Sequence, residues 1–318
     1  MGATTLMAPQ VYTHSCRLMG NSFSFSVVAT EETQANRCIN MAVEEVKRIE
    51  GVLTTYADSS QANLINRNAG IEPVKVDQEV FNLIERCIKI SRLTQGAFDI
   101  TYGSIDKRFW NFDKNMVALP SRATAKQLVR LINYENIILD SANTTVYLKQ
   151  KGMRIGFGGI GKGYAADRAK GIMQKEGVLN GIVNAAGDLT VWGTQANGKP
   201  WTVGIAAPDC KHLPFASLAL SDISVATSGN YEKFVIIDGV KYSHTIDPKT
   251  GYPVRGIKSV TIISSSAEVA DALATPVTVM GIKAGLNMIN QLKNVGCIII
   301  DDNDTIYTSK NINLKGEL

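Results

Sequence analysis

Three stretches of this chain carry residues whose types and spacing suit phosphate chemistry. The first is Gly156-Phe157-Gly158-Gly159-Ile160-Gly161-Lys162-Gly163, five glycines in eight residues, leading into the helix-compatible Tyr164-Ala165-Ala166-Asp167. Glycines let a backbone approach a ligand closely, and a following helix N-terminus offers unpaired N–H groups and a positive dipole end. A phosphate or pyrophosphate suits that arrangement. The second is Asp271 with Thr275, four residues apart, so that a helix places both oxygens on one face. A carboxylate and a hydroxyl suit a hard cation such as Mg2+, which takes few protein ligands and fills its shell with water and phosphate oxygens. The alternative is a capping Asp beside a Thr bonded back to its own helix. Pro276 follows directly, and a helix broken there would leave backbone groups free for a ligand. The third is Tyr242-Ser243-His244-Thr245-Ile246-Asp247-Pro248-Lys249-Thr250-Gly251. His244 is one of only three histidines, and its ordinary pKa near neutrality suits a general base acting on a hydroxyl. The same residues read equally well as a turn.

The glycine segment matches two familiar patterns in part. Gly156, Gly158 and Gly161 spell the G-x-G-x-x-G of a dinucleotide-binding unit, but mid-chain and with no acidic residue before Asp188 at a strand end. Gly156, Gly161 and Lys162 begin a P-loop, which then needs Ser or Thr where Gly163 stands. Two smaller clusters add little alone. Gln95-Gly96-Ala97-Phe98-Asp99-Ile100 reads as a helix end running into a loop, and Ala226-Thr227-Ser228-Gly229-Asn230-Tyr231 as a small polar strand end.

The elements that must position these residues are legible in outline. Residues 16–29 alternate as a strand, with Phe23, Phe25 and Val27 on one face. Residues 33–53 carry Ile39, Val43, Val46, Ile49 and Leu53 at helical spacing. A polar loop through Asp58, Ser59, Asn63 and Asn66 precedes a helix that Asp77 would cap and that ends near Gly96. A short helix after Arg122, β-like runs around 136–148 and a helix at about 162–176 follow. Residues 181–263 read mainly as strands, with turns at Gly187-Asp188, Asn197-Gly198 and Asp238-Gly239. A helix at about 266–280 opens with Ser266, and a final helix and hairpin end the chain. Strands and helices come in groups, which predicts α+β over a doubly wound sheet.

Bulk properties exclude several classes. A chain of 318 residues with net charge +4 and scattered Lys and Arg has no nucleic-acid footprint. Five widely spaced cysteines without a CxxC pair indicate neither a zinc site nor a disulfide framework. No apolar run approaches the ~20 residues of a membrane span. Met1 to Gln10 lacks an export signal. The sequence predicts a poorly ordered segment at 1–15 and one two-lobed domain from 16 to 318.

Taken in order, these segments resemble the ApbE-type flavin transferase family. The matching pieces are Leu18-Met19-Gly20, Tyr56 with Asp58-Ser59, Gly96-Ala97-Phe98-Asp99, and Gly158 through Asp167. They continue with Asn184-Ala185-Ala186-Gly187-Asp188, Ala226-Thr227-Ser228-Gly229, Ser243 through Gly251, and Ala270-Asp271-Ala272-Leu273-Ala274-Thr275. The resemblance implies a two-lobed α+β, T-fold-like architecture, mainly antiparallel, with a ligand cleft between the lobes. It implies Mg2+-dependent transfer of FMN from FAD to a Ser or Thr hydroxyl of an acceptor flavoprotein, with release of AMP. By motif position, Asp271, Thr275 and the Gly159 carbonyl would bind Mg2+. Met19, Tyr56, Ala97, Phe98, Asp99, Lys162 and Ile246 would line the FAD site, and His244 would be the base. One departure stands out: many family members have Asp-Leu-Gly where this chain has Gly156-Phe157-Gly158, which removes a carboxylate near the nucleotide. The alternatives are an FAD pyrophosphatase using the same site, a flavin-binding protein without catalysis, and a Rossmann oxidoreductase. The family implies a periplasmic or membrane-anchored surface location, while the lack of an export signal leaves the cytoplasm open.

Overall fold

This computed structural model describes residues 8–106, 118–207, 210–229 and 234–312. The strand-like run predicted over 16–29 is the end of one strand and the whole of the next. β1 (Gln10–Leu18) and β2 (Asn21–Ala29) form a hairpin about Met19-Gly20. Phe23, Phe25 and Val27 alternate onto one face of β2 and are fully buried. β1 exposes nearly all of its side chains, so its strand comes from pairing with β2 along its full length rather than from apolar alternation. Residues 10–15 therefore belong to a strand and not to a poorly ordered segment; residues 1–7 lie outside the described residues.

α1 (Glu32–Leu53) buries Ala35, Ile39, Val43, Val46, Ile49 and Leu53 on one stripe. The predicted polar loop contains a helix, α2 (Gln61–Arg67), whose Asn63 N–H donates to the Ser60 Oγ cap at 3.1 Å. β3 (Val74–Lys75) leads to α3 (Gln78–Leu93), where Asp77 holds the cap position without capping; it bonds Gln61 instead. α4 (Arg122–Leu128), β4 (Ile137–Asp140) and β5 (Thr145–Leu148) precede α5 (Gly161–Lys175). β6 (Gly181–Ala185), β7 (Asp188–Trp192), β8 (Trp201–Ala207), β9 (Cys210–Leu220) and β10 (Ile223–Gly229) follow. Asn230 and Tyr231 of the predicted polar strand end lie outside the described residues. β11 (Phe234–Ile237) and β12 (Val240–Ser243) turn at Asp238-Gly239, and β13 (Ile257–Ser264) leads to α6 (Ala267–Met280). α7 (Ile282–Ile289), β14 (Gly296–Asp301) and β15 (Ile306–Thr308) complete the described chain.

The main sheet has the order β1-β2-β6-β7-β10-β13-β14-β15, and each described strand pair is antiparallel. This α+β architecture overturns the dinucleotide reading of the glycine run, which needs parallel strands and a strand leading into the loop. Residues 153–157 form no strand. They are held by Asn66, whose amide accepts from Ile155 N–H at 2.6 Å and donates to its carbonyl at 3.0 Å, and by Gly156 N–H on Ile100 O at 2.8 Å.

The sheet separates two apolar layers. On one face α1, α5 and α6 pack on Phe23, Phe25, Val183 and Trp192. On the other, Trp201 and Val203 cover Leu189, Val191 and Val225. A smaller core of Ile105, Ala125, Leu128, Val129 and Ile246 ties α4 to the segment after β12. Between the main helices runs a chain of charges: Arg86 pairs with Glu268 at 2.6 and 3.0 Å, stacks 5.7 Å over Tyr164, and the Tyr164 hydroxyl donates to Glu79. Cys38, Cys87 and Cys297 are buried, as expected for small apolar side chains.

α5 and α6 cross at Gly163. A Cβ there would meet the Ala267 carbonyl oxygen at 2.1 Å and Asp271 Cβ at 2.8 Å, so only glycine allows the approach. Asp167, one turn further along α5, accepts from Ser266 Oγ at 2.7 Å and from the N–H groups of Ala267 and Glu268 at 3.0 Å each. Gly163→Ala should lower stability by about 1–3 kcal/mol or more through overpacking. Gly171→Ala, in the same helix with open space at its Cβ, should raise it by about 0.5–1 kcal/mol. Denaturant midpoints of the two variants check both signs.

Candidate functional site

One end of the main sheet collects the residues that carry chemistry. Antiparallel pairing places the Met19-Gly20 turn, the Ala186-Gly187 turn, the Ser228-Gly229 end of β10 and the start of β13 side by side. Two of these turns hold a non-glycine residue in the left-handed region, Met19 at φ 51 and Ala186 at φ 55, each followed by a glycine at positive φ. A long or branched-free side chain rarely stays there unless its surroundings require it. At Met19 the surroundings are the glycine loop: a methyl built on Gly161 would touch Met19 Cε at 3.4 Å, and one built on Gly159 would touch Phe98 Cε2 at 3.6 Å.

Lys162 opens α5 and reaches back to the sheet. Its ammonium donates to Asp188 Oδ2 and lies 3.4 and 3.5 Å from the two Asp271 oxygens. Asp188 shares a strand face with Thr190 and Trp192, the face that meets the helices. Asp271 accepts from Gly163 N–H at 3.0 Å. Both carboxylates are buried. Burial, and then the neighbouring Asp271 charge, raise the Asp188 carboxyl well above the usual carboxylate range, despite Lys162. For Lys162 burial alone would lower the pKa, but the Asp271 and Asp188 charges outweigh it and raise the ammonium above its ordinary value. The lysine thus stays charged across physiological pH.

Two buried carboxylates face one ammonium, and the crowding of negative charge that raises Asp188 is relieved by a proton or by a further cation. Among the described residues no three His, Cys, Asp or Glu side chains converge to hold a metal. The donors on hand near Asp271 are instead oxygens of a hydroxyl and of backbone. Thr275 lies one turn along α6, half-buried, and Gly159 sits in the glycine loop. That donor set fits Mg2+, which keeps several waters and binds through one or two carboxylates plus phosphate oxygens. As the helix expected at about 266–280 requires, α6 runs unbroken through Pro276; the proline only removes the N–H that would pair with the Ala272 carbonyl.

The N-terminus of α5 departs from expectation too. Gly161 N–H donates to Phe157 O at 2.6 Å and Gly163 N–H to Asp271. The anion at this helix end is therefore the protein's own carboxylate, and a phosphate would meet Lys162 rather than bare N–H groups.

The other expected residues divide into three groups. Ala97, Phe98 and Asp99 are buried beside the glycine loop, but the Asp99 carboxylate is used internally. It accepts from Thr101 N–H at 2.8 Å, Thr101 Oγ1 at 2.6 Å and Tyr134 N–H at 2.8 Å. Ile246 is buried in the small core with Ile105, Ala125, Leu128 and Val129. His244 is half-buried between β12 and the Ile246–Pro253 bridge. Tyr56 stands apart, 96% exposed, its ring free to cover a ligand. Asp188 is the residue that sequence reasoning missed. The run Asp188-Leu189-Thr190-Val191-Trp192 gave a signal, an acid sharing one strand face with Trp192, but the partner Lys162 lies 26 residues away.

Known proteins share this sequence family and fold. The ApbE family model matches residues 19–299. The chain is 31% identical over 303 residues to the FAD:protein FMN transferase of Klebsiella pneumoniae (strain 342), covering 94% of this chain and 92% of that protein. It is 30% identical over 293 residues to the FAD:protein FMN transferase of Treponema pallidum (strain Nichols), covering 86% and 81%. Among solved structures it resembles the ApbE protein of Thermotoga maritima with a TM-score of 0.84 and 32% identity, over 95% of this chain and 97% of that one. The flavin transferase ApbE from Vibrio cholerae shares the fold, with a TM-score of 0.83 at 24% identity over 95% and 98%.

Because both Asp99 oxygens accept hydrogen bonds, Asp99→Asn would turn one donor toward Tyr134 N–H. The expected loss of stability is about 1–3 kcal/mol, seen as a lower denaturant midpoint. A variant with unchanged stability would show that the carboxylate is not the anchor of this turn.

Proposed function

The chain belongs to the ApbE family, and on that footing we propose that it transfers FMN from FAD to a Ser or Thr hydroxyl of an acceptor protein, releasing AMP. The observation that carries this reading is the Lys162–Asp188–Asp271 cluster at the foot of the glycine loop. A charged lysine beside two buried carboxylates is a setting suited to a pyrophosphate and its metal.

In the proposed reaction the acceptor hydroxyl oxygen attacks the phosphorus on the FMN side of the FAD pyrophosphate. A new P–O bond forms as the bond to the AMP phosphate breaks, and AMP leaves with the bonding pair. His244 takes the hydroxyl proton; an imidazole is the side chain most often used as a general base. Lys162 holds a phosphate oxygen, its charge secured by two carboxylates. Phosphoryl transfer is largely positioning and charge stabilisation, so a fixed cation at this place is a substantial part of the work. Met19 and Phe98, in contact with the glycine loop, and Tyr56, exposed, would line the flavin nucleotide with Ala97, Asp99 and Ile246. Asp271, Thr275 and the Gly159 carbonyl would hold Mg2+, which when bound neutralises charge on the pyrophosphate.

The test is incubation with FAD, Mg2+ and an acceptor domain bearing a flavinylation-type Thr, followed by intact mass spectrometry and an AMP assay. An FMN-sized, Mg2+-dependent mass gain with AMP release is expected. AMP and free FMN in equal amounts without acceptor modification would instead support hydrolysis of FAD, and intact FAD with no AMP would overturn the enzymatic reading. Asp271→Ala should abolish turnover. His244→Ala should slow transfer about 10²–10⁴-fold, the usual range for a lost general base, while FAD binding measured by fluorescence quenching persists.

A further inference from the structure

The ammonium of Lys162 has two carboxylates within reach and sits unevenly between them. Its closer contact is Asp188; both Asp271 oxygens lie 3.4 Å or more away. The uneven position has a visible cause. Asp271 and Lys162 ride on two helices that cross at Gly163, whereas Asp188 is fixed to the sheet. It begins β7 directly after the Ala186-Gly187 turn, whose residues have φ 55 and 100, in a strand paired on both sides by β6 and β10. The lysine stem leaves α5 and is drawn toward the sheet, away from α6. Besides this ammonium, which still pairs with it at 3.4 Å, Asp271 accepts from Gly163 N–H at 3.0 Å.

Resting on the metal reading of Asp271 given above, we propose that Asp188 is a positioning residue: it takes the closer contact with the Lys162 ammonium, so that Lys162 holds Asp271 only at the limit of hydrogen-bond reach and a divalent cation can displace it there. The electrostatics require some such device. A buried ammonium and carboxylate within 3.5 Å attract strongly in a medium of low dielectric. Without a competing anion the lysine would close onto Asp271 and occupy the oxygens a metal needs.

The experiment measures Mn2+ binding by electron paramagnetic resonance, with the metal alone and again with AMP present, so that catalysis plays no part. The unsubstituted protein should bind Mn2+ in an Asp271-dependent manner. Asp188→Asn, which preserves shape, should weaken binding roughly ten- to hundredfold, the range found when an outer partner of a metal ligand is removed. Adding Lys162→Met to that variant should restore most of the affinity, because the blocking ammonium is gone. A purely structural role for Asp188 would show no such recovery, and failure of the rescue overturns the proposal. So does an Asp188→Asn variant with unchanged affinity. Lys162→Met alone covers the case in which Asp188→Asn does not fold: it should bind Mn2+ at least as tightly as the unsubstituted protein, and weaker binding counts against the proposal. Absence of Asp271-dependent binding in the unsubstituted protein would overturn the metal assignment together with this inference, whereas the other failures leave the metal assignment standing.

Discussion

The site depends on a reciprocal cap between two helices. Asp271 of α6 accepts an N–H from the first turn of α5, and Asp167 of α5 accepts two N–H groups and a hydroxyl from the first turn of α6. Each helix thus closes the other's open end with a carboxylate, where the helix dipole favours negative charge. Charge-assisted bonds of this kind contribute roughly 1.5–3 kcal/mol each, enough to hold the two helices at one separation. Gly163 sets that separation, since its bare backbone lies on the Ala267 carbonyl. The position of Lys162 follows from the same contact, because it immediately precedes Gly163 on the helix.

Much of this was legible in the chain, and the exceptions have physical reasons. The apolar stripe of α1 and the alternation of Phe23, Phe25 and Val27 mark their elements because each has one buried face. β1 could not be read in the same way; most of its side chains face solvent, and its pairing with β2 alone makes it a strand. α2 is seven residues long and rich in Asn and Gln, so it resembled a loop. Its Asn66 is polar for a different reason, holding Ile155 by both amide groups in place of a strand neighbour.

At the site, the four-residue spacing of Asp271 and Thr275 and the glycine density at 156–163 could be recognised locally. What those features did with their neighbours could not. The glycine run suggested a free helix end for phosphate, yet the carboxylate that takes the Gly163 N–H lies 108 residues downstream. Asp99 stood in a recognisable motif, but its use by Tyr134 N–H depends on a loop 35 residues away. A sequence motif identifies which groups are available; the fold decides which of them are already engaged.

The reciprocal cap also orders events during synthesis. The glycine loop and Lys162 leave the ribosome well before α6, and until Asp271 and Asp167 find each other's helices neither end is closed. Non-local contacts of this kind form late, after the loop between them has been brought together. A nascent chain that ends short of α6 would contain the glycine loop, the lysine and Asp188, yet would have no assembled pocket. The pocket between the two helices is therefore complete only once α6 has docked on α5.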